Sequence, residues 1–348
     1  MTGLSPLPPR RAPEAIPITV LTGFLGAGKT TLLNRLVRSP ALSRSVVIIN
    51  EIGAIAIDHG LVEGAEGDLI TLSSGCLCCT VRGELVSTLE NLLRRLDNGR
   101  MAPFDRVVIE TTGLADPAPI LNAVARHPYL GLRFRVEGVV TVVDAVHGSA
   151  TLDAEREAVD QVAFADTLLL SKADLVPDTA ALERRLATLN PSARLLPAAQ
   201  ADPDTILAAG FRPRMRAVAD GGGSHDAPFA TVAFRASAGL DLAAVAPFLE
   251  LLRAAAGEAL LRGKGLLALR DDAARPLAVH LVRDTIHPAR RLPAWPDPDR
   301  DSRMVLIGRR LDGRAIERVW EAFLGGPAVD QPDADALMGG GRKGSGLF

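Results

Sequence analysis

Two short stretches carry side chains that could do chemistry together. Gly23-Phe-Leu-Gly-Ala-Gly-Lys-Thr30 fits G-x-x-x-x-G-K-[ST], and Ser73-Ser-Gly-Cys-Leu-Cys-Cys-Thr80 places thiols at positions 76, 78 and 79. In the first, glycines 23, 26 and 28 let backbone N–H groups turn inward around phosphate oxygens with no Cβ in the way. The nucleotide cradle would run through Gly23, Gly26, Ala27, Gly28, Lys29, Thr30 and Thr31. Lys29 can reach the β- and γ-phosphates, and the Thr30 hydroxyl can ligate Mg²⁺. The apolar run Ile18, Val20, Leu21 precedes the loop, and Leu32, Leu33, Leu36 and Val37 follow at helical spacing. Strand, glycine loop, helix is the context such a motif needs, because the helix N-terminus favours anions. In the second stretch, Cys76, Cys78 and Cys79 can converge on one borderline or soft cation such as Zn²⁺. Three sulfurs leave a tetrahedral ion one ligand short, an arrangement suited to holding and handing over. The spacing also permits a redox pair at Cys76 and Cys79, a structural zinc, or small buried thiols.

Two further stretches answer the glycine loop. Arg106-Val-Val-Ile-Glu-Thr-Thr-Gly113 reads as a strand ending in a carboxylate. Glu110 there can hold Mg²⁺ directly or through water, or orient the attacking water. Gly113 could give its N–H to a γ-phosphate, so that losing the phosphate frees the loop. Leu168-Leu-Leu-Ser-Lys-Ala-Asp174 is a strand ending in S-K-x-D. The Asp174 carboxylate accepts only, which matches guanine N1–H and N2–H₂ and penalises adenine. The Lys172 stem can lie across the base. Ser171 stands where many such loops have Asn, a weaker match.

The elements that must position these groups form an alternating series. Strands are expected at Ile16–Leu21, Val46–Ile49, Asp68–Leu72, Arg106–Glu110, Gly138–Val143, Thr167–Leu170 and Arg194–Leu196. Helices are expected at Lys29–Arg38, Gly83–Leu96, Pro117–Arg126, Thr151–Phe164 and Thr179–Leu189. This pattern predicts an α/β fold: a P-loop NTPase with a mostly parallel, doubly wound sheet over residues 16–210. Residues 1–15 read as a flexible N-terminus and 211–228 as an Arg- and Gly-rich linker. Residues 229–326 read as a small α+β domain with an antiparallel sheet. Its strands are expected at Ala230–Arg235, near Leu266–Arg270, at Leu277–Arg283 and at Met304–Gly308, its helices at Leu242–Ala255 and Gly313–Phe323. Residues 327–348 read as a disordered tail.

Composition narrows the class. The formal charge is −2, so there is no global basic field for nucleic acid. No stretch is apolar enough to span a bilayer, and no signal-like run opens the chain. All three cysteines sit together, which excludes a secreted disulfide framework and points to the cytoplasm.

At this point the residues resemble a family. Gly23–Thr31, Asn50-Glu-Ile-Gly53, Gly75-Cys-Leu-Cys-Cys79, Glu110-Thr-Thr-Gly-Leu-Ala-Asp-Pro117, Val143-Asp-Ala-Val-His147 and Ser171-Lys-Ala-Asp174 look like the CobW-type GTPases, metallochaperone relatives of UreG and HypB. Lys264-Gly-Leu-Leu267, His287-Pro288 and Leu292-Pro-Ala-Trp-Pro296 are similar to the family's C-terminal part. The resemblance implies Mg²⁺-dependent GTP hydrolysis, a Zn²⁺ or Co²⁺ site at Cys76, Cys78 and Cys79, and delivery to a client metalloprotein. It leaves room for a nucleotide-dependent dimer. It implies a switch role for Glu51, whereas Ala54 replaces a carboxylate the family usually carries.

Two rival readings share these motifs. A nucleotide-dependent phosphotransferase would use the same glycine loop, but S-K-x-D and the thiols argue against it. A non-enzymatic metal or redox sensor would bind nucleotide with negligible turnover. Of the six scattered histidines, His147 is the best outside candidate for a metal ligand, since it follows a strand near the expected active edge. His280 and His287 are expected on the C-terminal domain, in client contact.

Overall fold

The structure, a computed structural model, describes residues 14–52, 69–74, 80–207 and 229–324. The first part alternates strands and helices: β1 (Ile16–Gly23), α1 (Lys29–Val37), β2 (Ser45–Ile52), β3 (Leu69–Ser74), α2 (Thr80–Asp97), β4 (Arg106–Glu110), α3 (Ala118–Arg126), α4 (Leu130–Arg133), β5 (Phe134–Asp144), α5 (Gly148–Ala154), α6 (Arg156–Phe164), β6 (Thr167–Ser171), α7 (Ala180–Leu189), β7 (Arg194–Pro197) and α8 (Pro203–Leu207). The strands form one sheet in the order β3-β2-β4-β1-β5-β6-β7, and every pairing is parallel. Their C-terminal ends therefore share one edge, where ligands of open α/β sheets bind. The strands read as near-continuous apolar runs because helices cover both faces. Leu32, Leu33 and Leu36 of α1 pack with Val140, Val142 and Leu169 on one side. Leu85, Leu89 and Leu92 of α2 pack with Ile18, Val20, Val107 and Ile109 on the other.

The second part is an antiparallel sheet backed by two helices: β8 (Ala230–Ala236), α9 (Leu242–Ala256), β9 (Leu260–Leu267), β10 (Leu277–Val282), β11 (Thr285–Ile286), β12 (Arg290–Arg291), β13 (Ser302–Gly308) and α10 (Gly313–Leu324). The order is β11-β10-β9-β13-β8, with β12 also on β10. Met304 and Leu306 on one face pack under α9 and α10, where Trp320 stacks on Phe234 and meets Phe248 edge-on. Val282, Val305 and Ile307 on the other face join the same apolar cluster as Ile18, Phe134 and Phe164. The two sheets thus share a core.

Charges are buried in that seam. Asp166, at the start of β6, accepts the Val139 N–H at 2.8 Å and pairs with Arg262 at 2.7 Å and with Lys264. Asn122 of α3 donates to the Val282 carbonyl, and its Oδ1 lies 3.1 Å from His287 Nε2. Burial, with Arg262 and Arg126 nearby, pushes His287 down to about 4. His280 stands opposite Lys264 in the β9–β10 register, and burial lowers it well below its usual range. Both histidines, expected on the C-terminal domain, lie there half-buried beside the seam between the sheets.

Other expectations need correcting. Thr151–Phe164 is two helices, α5 and α6, parted at Glu155, which is extended at φ −117° and ψ 116°. No Gly or Pro marks that break, so the periodicity runs through it. The strand expected near Leu266–Arg270 is β9, Leu260–Leu267. Its Arg262, Gly263, Lys264 and Gly265 interrupt the apolar run, yet all are buried. A Cβ on Gly263 or Gly265 would sit 3.1 Å from Leu281, Met304 or Val279. The short elements α4, α8, β11 and β12 carry too few residues for a pattern. The expected linker 211–228 and tail 327–348 lie outside the described residues, as do residues 1–13. Among the described residues, no helix is long and apolar enough to cross a membrane.

Removing one partner of a buried ion pair strands the others. Asp166→Ala should destabilise the chain by about 3–5 kcal/mol, read as a lower urea midpoint. His287 titrates near its usual value only when unfolded, so the unfolded chain binds the extra proton between about pH 6.5 and about 4. Stability from this residue is complete above that window and is lost as pH falls through it. His287→Gln should flatten that part of the denaturation profile, measured as urea midpoint against pH.

Candidate functional site

The glycine loop leaves β1 at Gly23 and enters α1 at Lys29. Gly23, Gly26 and Gly28 have φ of 143°, 73° and 95°, all in the region glycine tolerates. A side chain at Gly23 would also place its Cβ 2.4 Å from the Val142 carbonyl oxygen. Lys29 is buried, and its ammonium donates to the carbonyls of Gly23 at 2.8 Å and Phe24 at 3.2 Å. Burial pulls this lysine below its ordinary range, and Glu110 pushes it back up.

The parallel register sets Glu110 beside Leu21 of β1 and Ile49 of β2. Its carboxylate is buried, and the Thr30 hydroxyl donates to it at 3.3 Å. Two hard oxygen donors so close at the end of a phosphate loop suit a magnesium ion. Just beyond, Gly113 packs directly on Leu25 of the loop: an added Cβ would lie 2.7 Å from the Leu25 nitrogen and 2.8 Å from its Cα. The Gln161 side-chain amide holds this segment from the other side, donating to the Gly113 carbonyl at 3.0 Å and the Ala115 carbonyl at 3.2 Å.

Ser171, Lys172 and Asp174 follow β6. The Ser171 hydroxyl donates to the Ala27 carbonyl at 2.7 Å, strapping this turn to the glycine loop. Lys172, in a left-handed conformation at φ 54°, donates to the Gly26 carbonyl at 2.8 Å and to Asp144 at 2.6 Å. Burial alone would raise the Asp144 carboxyl, but Lys172 and the N–H groups of Val146 and His147 outweigh it and hold it low. Asp174 is exposed in the turn that follows. A cavity of about 300 Å³ opens here, lined by Phe24, Gly26, Asp144, His147, Gln161 and Lys172 among others. His147 lies 3.3 Å from Asp144 with its side chain largely exposed.

The structure thus brings Gly23, Gly26, Ala27, Gly28, Lys29, Thr30, Glu110, Gly113, Ser171 and Lys172 to one edge. Thr31 follows Thr30 in α1. Glu51 lies on β2 two residues past Ile49, at the same edge. Cys76, Cys78 and Cys79, with Ala54, lie outside the described residues. The chain leaves β3 at Ser74 and enters α2 at Thr80, so both flanks of the thiol motif are anchored at that edge. No group of three or more metal-binding side chains occurs among the described residues. Asp144 and Gln161 were not singled out from the sequence. Asp144 ends a strand in the quoted Val143–His147 stretch, which was a signal; Gln161 sits mid-helix with none.

An all-parallel sheet with a phosphate loop and facing carboxylate defines a P-loop nucleotide-binding protein. The model of the CobW/HypB/UreG nucleotide-binding domain matches residues 17–197, and that of the cobalamin synthesis protein cobW C-terminal domain matches 229–324. The chain belongs to the CobW/HypB/UreG family. It is 34% identical over 322 residues to the zinc chaperone YjiA of Escherichia coli (strain K12), covering 89% of this chain and 98% of that one. It is 36% identical over 189 residues to the zinc chaperone CobW of Sinorhizobium sp, covering 46% of this chain and 52% of that one. The crystal structure of Zn(II)-bound YjiA GTPase from E. coli superposes with a TM-score of 0.66 at 30% identity, covering 89% of this chain and 99% of that one.

The Gly113–Leu25 contact leaves no room for a methyl group. Gly113→Ala should cost about 1–3 kcal/mol of stability and displace the phosphate loop, read as a lower thermal midpoint and weaker nucleotide binding.

Proposed function

We propose that this chain is a GTP-hydrolysing metallochaperone that binds Zn²⁺ at Cys76, Cys78 and Cys79 and passes it to a client metalloprotein. The observation that carries this is the convergence of Lys29, Thr30 and Glu110 at one sheet edge, in a chain resembling a zinc chaperone over nearly its whole length. Lys29 and the loop amides would hold the β- and γ-phosphates, and Gly113 would offer its N–H to the γ-phosphate. Thr30 and Glu110 would hold Mg²⁺, which supplies neutralisation of the charge developing on the phosphates. Asp174 would accept from guanine, with Ser171 and Lys172 fixing its turn to the loop. Glu51 would act as a switch residue at the end of β2. Zn²⁺ is the cargo, with Co²⁺ the alternative, and the thiolates suit either. The site of action is the cytoplasm, in keeping with three cysteines clustered in four positions rather than spread as a secreted disulfide framework.

GTP and GDP should leave the thiol segment with different metal affinities. Competition titration of Zn²⁺ with a slowly hydrolysed GTP analogue, with GDP and with no nucleotide should give values differing about 5–150-fold, the usual range of such coupling. Equal affinities in all three defeat the carrier mechanism. Replacing the three cysteines by serine should abolish tight Zn²⁺ binding and spare GTP binding, and Lys29→Ala should do the reverse.

A further inference from the structure

The segment after β4 is gripped from three directions. Leu25 packs against Gly113, and Gln161 of α6 holds the Gly113 and Ala115 carbonyls. Asp116 closes the segment, and its two carboxylate oxygens face different partners. One accepts the Ala118 N–H at 2.9 Å, at the start of α3, and the other accepts from Arg283 at 2.7 Å. Arg283 belongs to the C-terminal domain, at the turn between β10 and β11, and holds a left-handed conformation at φ 51°. It also lies 3.8 Å from Asp160, the neighbour of Gln161 on α6, and its guanidinium stands over the Phe164 ring. Asp160 in turn is paired with Arg309 at the end of β13. Burial raises the Asp160 carboxyl, and Arg309 and Arg283 work against that. The Gln161 carbonyl accepts from Thr141 of β5, so α6 cannot slide independently of the sheet.

We infer that Asp116 and Arg283 form a latch through which the C-terminal domain positions the Gly113 segment for phosphate hydrolysis. The inference rests on the proposed reading of Gly113 as the group beside the γ-phosphate. Neither residue touches the reacting atoms; both are positioning residues. The latch ties the segment to a second domain whose own place is set elsewhere, by Asp166. Movement of the segment as far as Asp116 must therefore either break the Asp116–Arg283 pair or carry the β10–β11 turn with it. The same linkage runs in reverse, so a partner that shifts the C-terminal domain would alter the geometry at Gly113. Both side chains are about one-third exposed, at 36% for Asp116 and 33% for Arg283. The pair is therefore partly screened by solvent, and its effect on rate is modest.

The test uses the full chain with Asp116→Asn, Arg283→Gln, the double variant, and Arg283→Lys as the conservative rescue. Asn at 116 keeps an acceptor for the Ala118 N–H while removing the charge. Arg126→Gln is the control, because its pair with Asp284 joins α3 to the same β10–β11 turn without touching the segment. Hydrogen exchange of the peptide spanning 110–118 should rise about two- to five-fold in Asp116→Asn and Arg283→Gln without nucleotide, and stay at the wild-type rate in Arg126→Gln. GTP turnover should fall by a similar factor at nearly unchanged KM. The double variant should be no worse than either single, and Arg283→Lys should restore part of the loss. Unaltered exchange in both single variants, or equal loosening in Arg126→Gln, overturns the latch. Absence of GTP turnover in the wild-type chain overturns the GTPase reading instead, while the exchange comparison still decides whether the latch holds the segment.

Discussion

One buried carboxylate fixes how the two sheets meet. Asp166 sits where β6 begins, accepts a backbone N–H from β5, and faces Arg262 and Lys264 from the neighbouring domain. Two cations and one anion in a buried seam are not a favourable trade by Coulomb energy alone, since burial strips ions of hydration. What the arrangement supplies is registry. Apolar contacts among Val282, Val305, Ile307 and Phe164 would tolerate sliding, because they are non-directional. A carboxylate with three fixed donors does not. Arg262 and Lys264 are two residues apart on β9 and so project from the same face, which is why both can reach one acceptor.

That registry gives α3 and α6 a double duty. Asn122 on α3 answers to β10 and His287, while Asp116 accepts the Ala118 N–H at the start of α3. On α6, Asp160 faces the C-terminal arginines and Gln161 faces the segment after β4. Residues adjacent on a helix point about 100° apart, so one short helix can touch both bodies. The break at Glu155 lets α6 take a direction separate from α5. The nucleotide edge and the second domain are therefore parts of one packed unit.

Much of the site is readable in the sequence because its chemistry demands unusual residues at fixed spacing. Gly23, Gly26 and Gly28 cannot be replaced without clash or strain, and a phosphate loop dictates the order of Lys29 and Thr30 after them. The parallel sheet was readable because buried strands such as Val107–Ile109 are apolar without alternation. The seam was not readable. Arg262 and Lys264 are charged residues that look solvated in sequence, and only tertiary pairing makes them core. Strand β9 was misplaced for that reason, its central charges breaking the apolar run. Gln161 leaves no mark in the sequence, because a single glutamine inside a helix carries no pattern, although it is among the most buried polar groups.

Strand order constrains how a nucleotide and a thiol-held ion could influence one another. The segment bearing Cys76, Cys78 and Cys79 begins where β3 ends, and β2 and β4 stand between β3 and β1. Three interstrand spacings, about 14 Å, separate the end of β3 from that of β1. On the proposed reading, packed elements that span this distance can carry the coupling. Two routes leave the nucleotide edge. One is β2, whose Glu51 pairs with Ser73 of β3 in parallel register. The other runs through α3 to α2, whose Leu85, Leu89 and Leu92 share a cluster with Ile120, Leu121 and Val124 of α3. Helix α2 begins at Thr80, the residue after Cys79. A displacement of the segment between Glu110 and Asp116 acts on the start of α3, and α3 is packed against the helix that bounds the thiols. The same α3 carries Asn122 into the interdomain seam, so the second domain bears on that route as well.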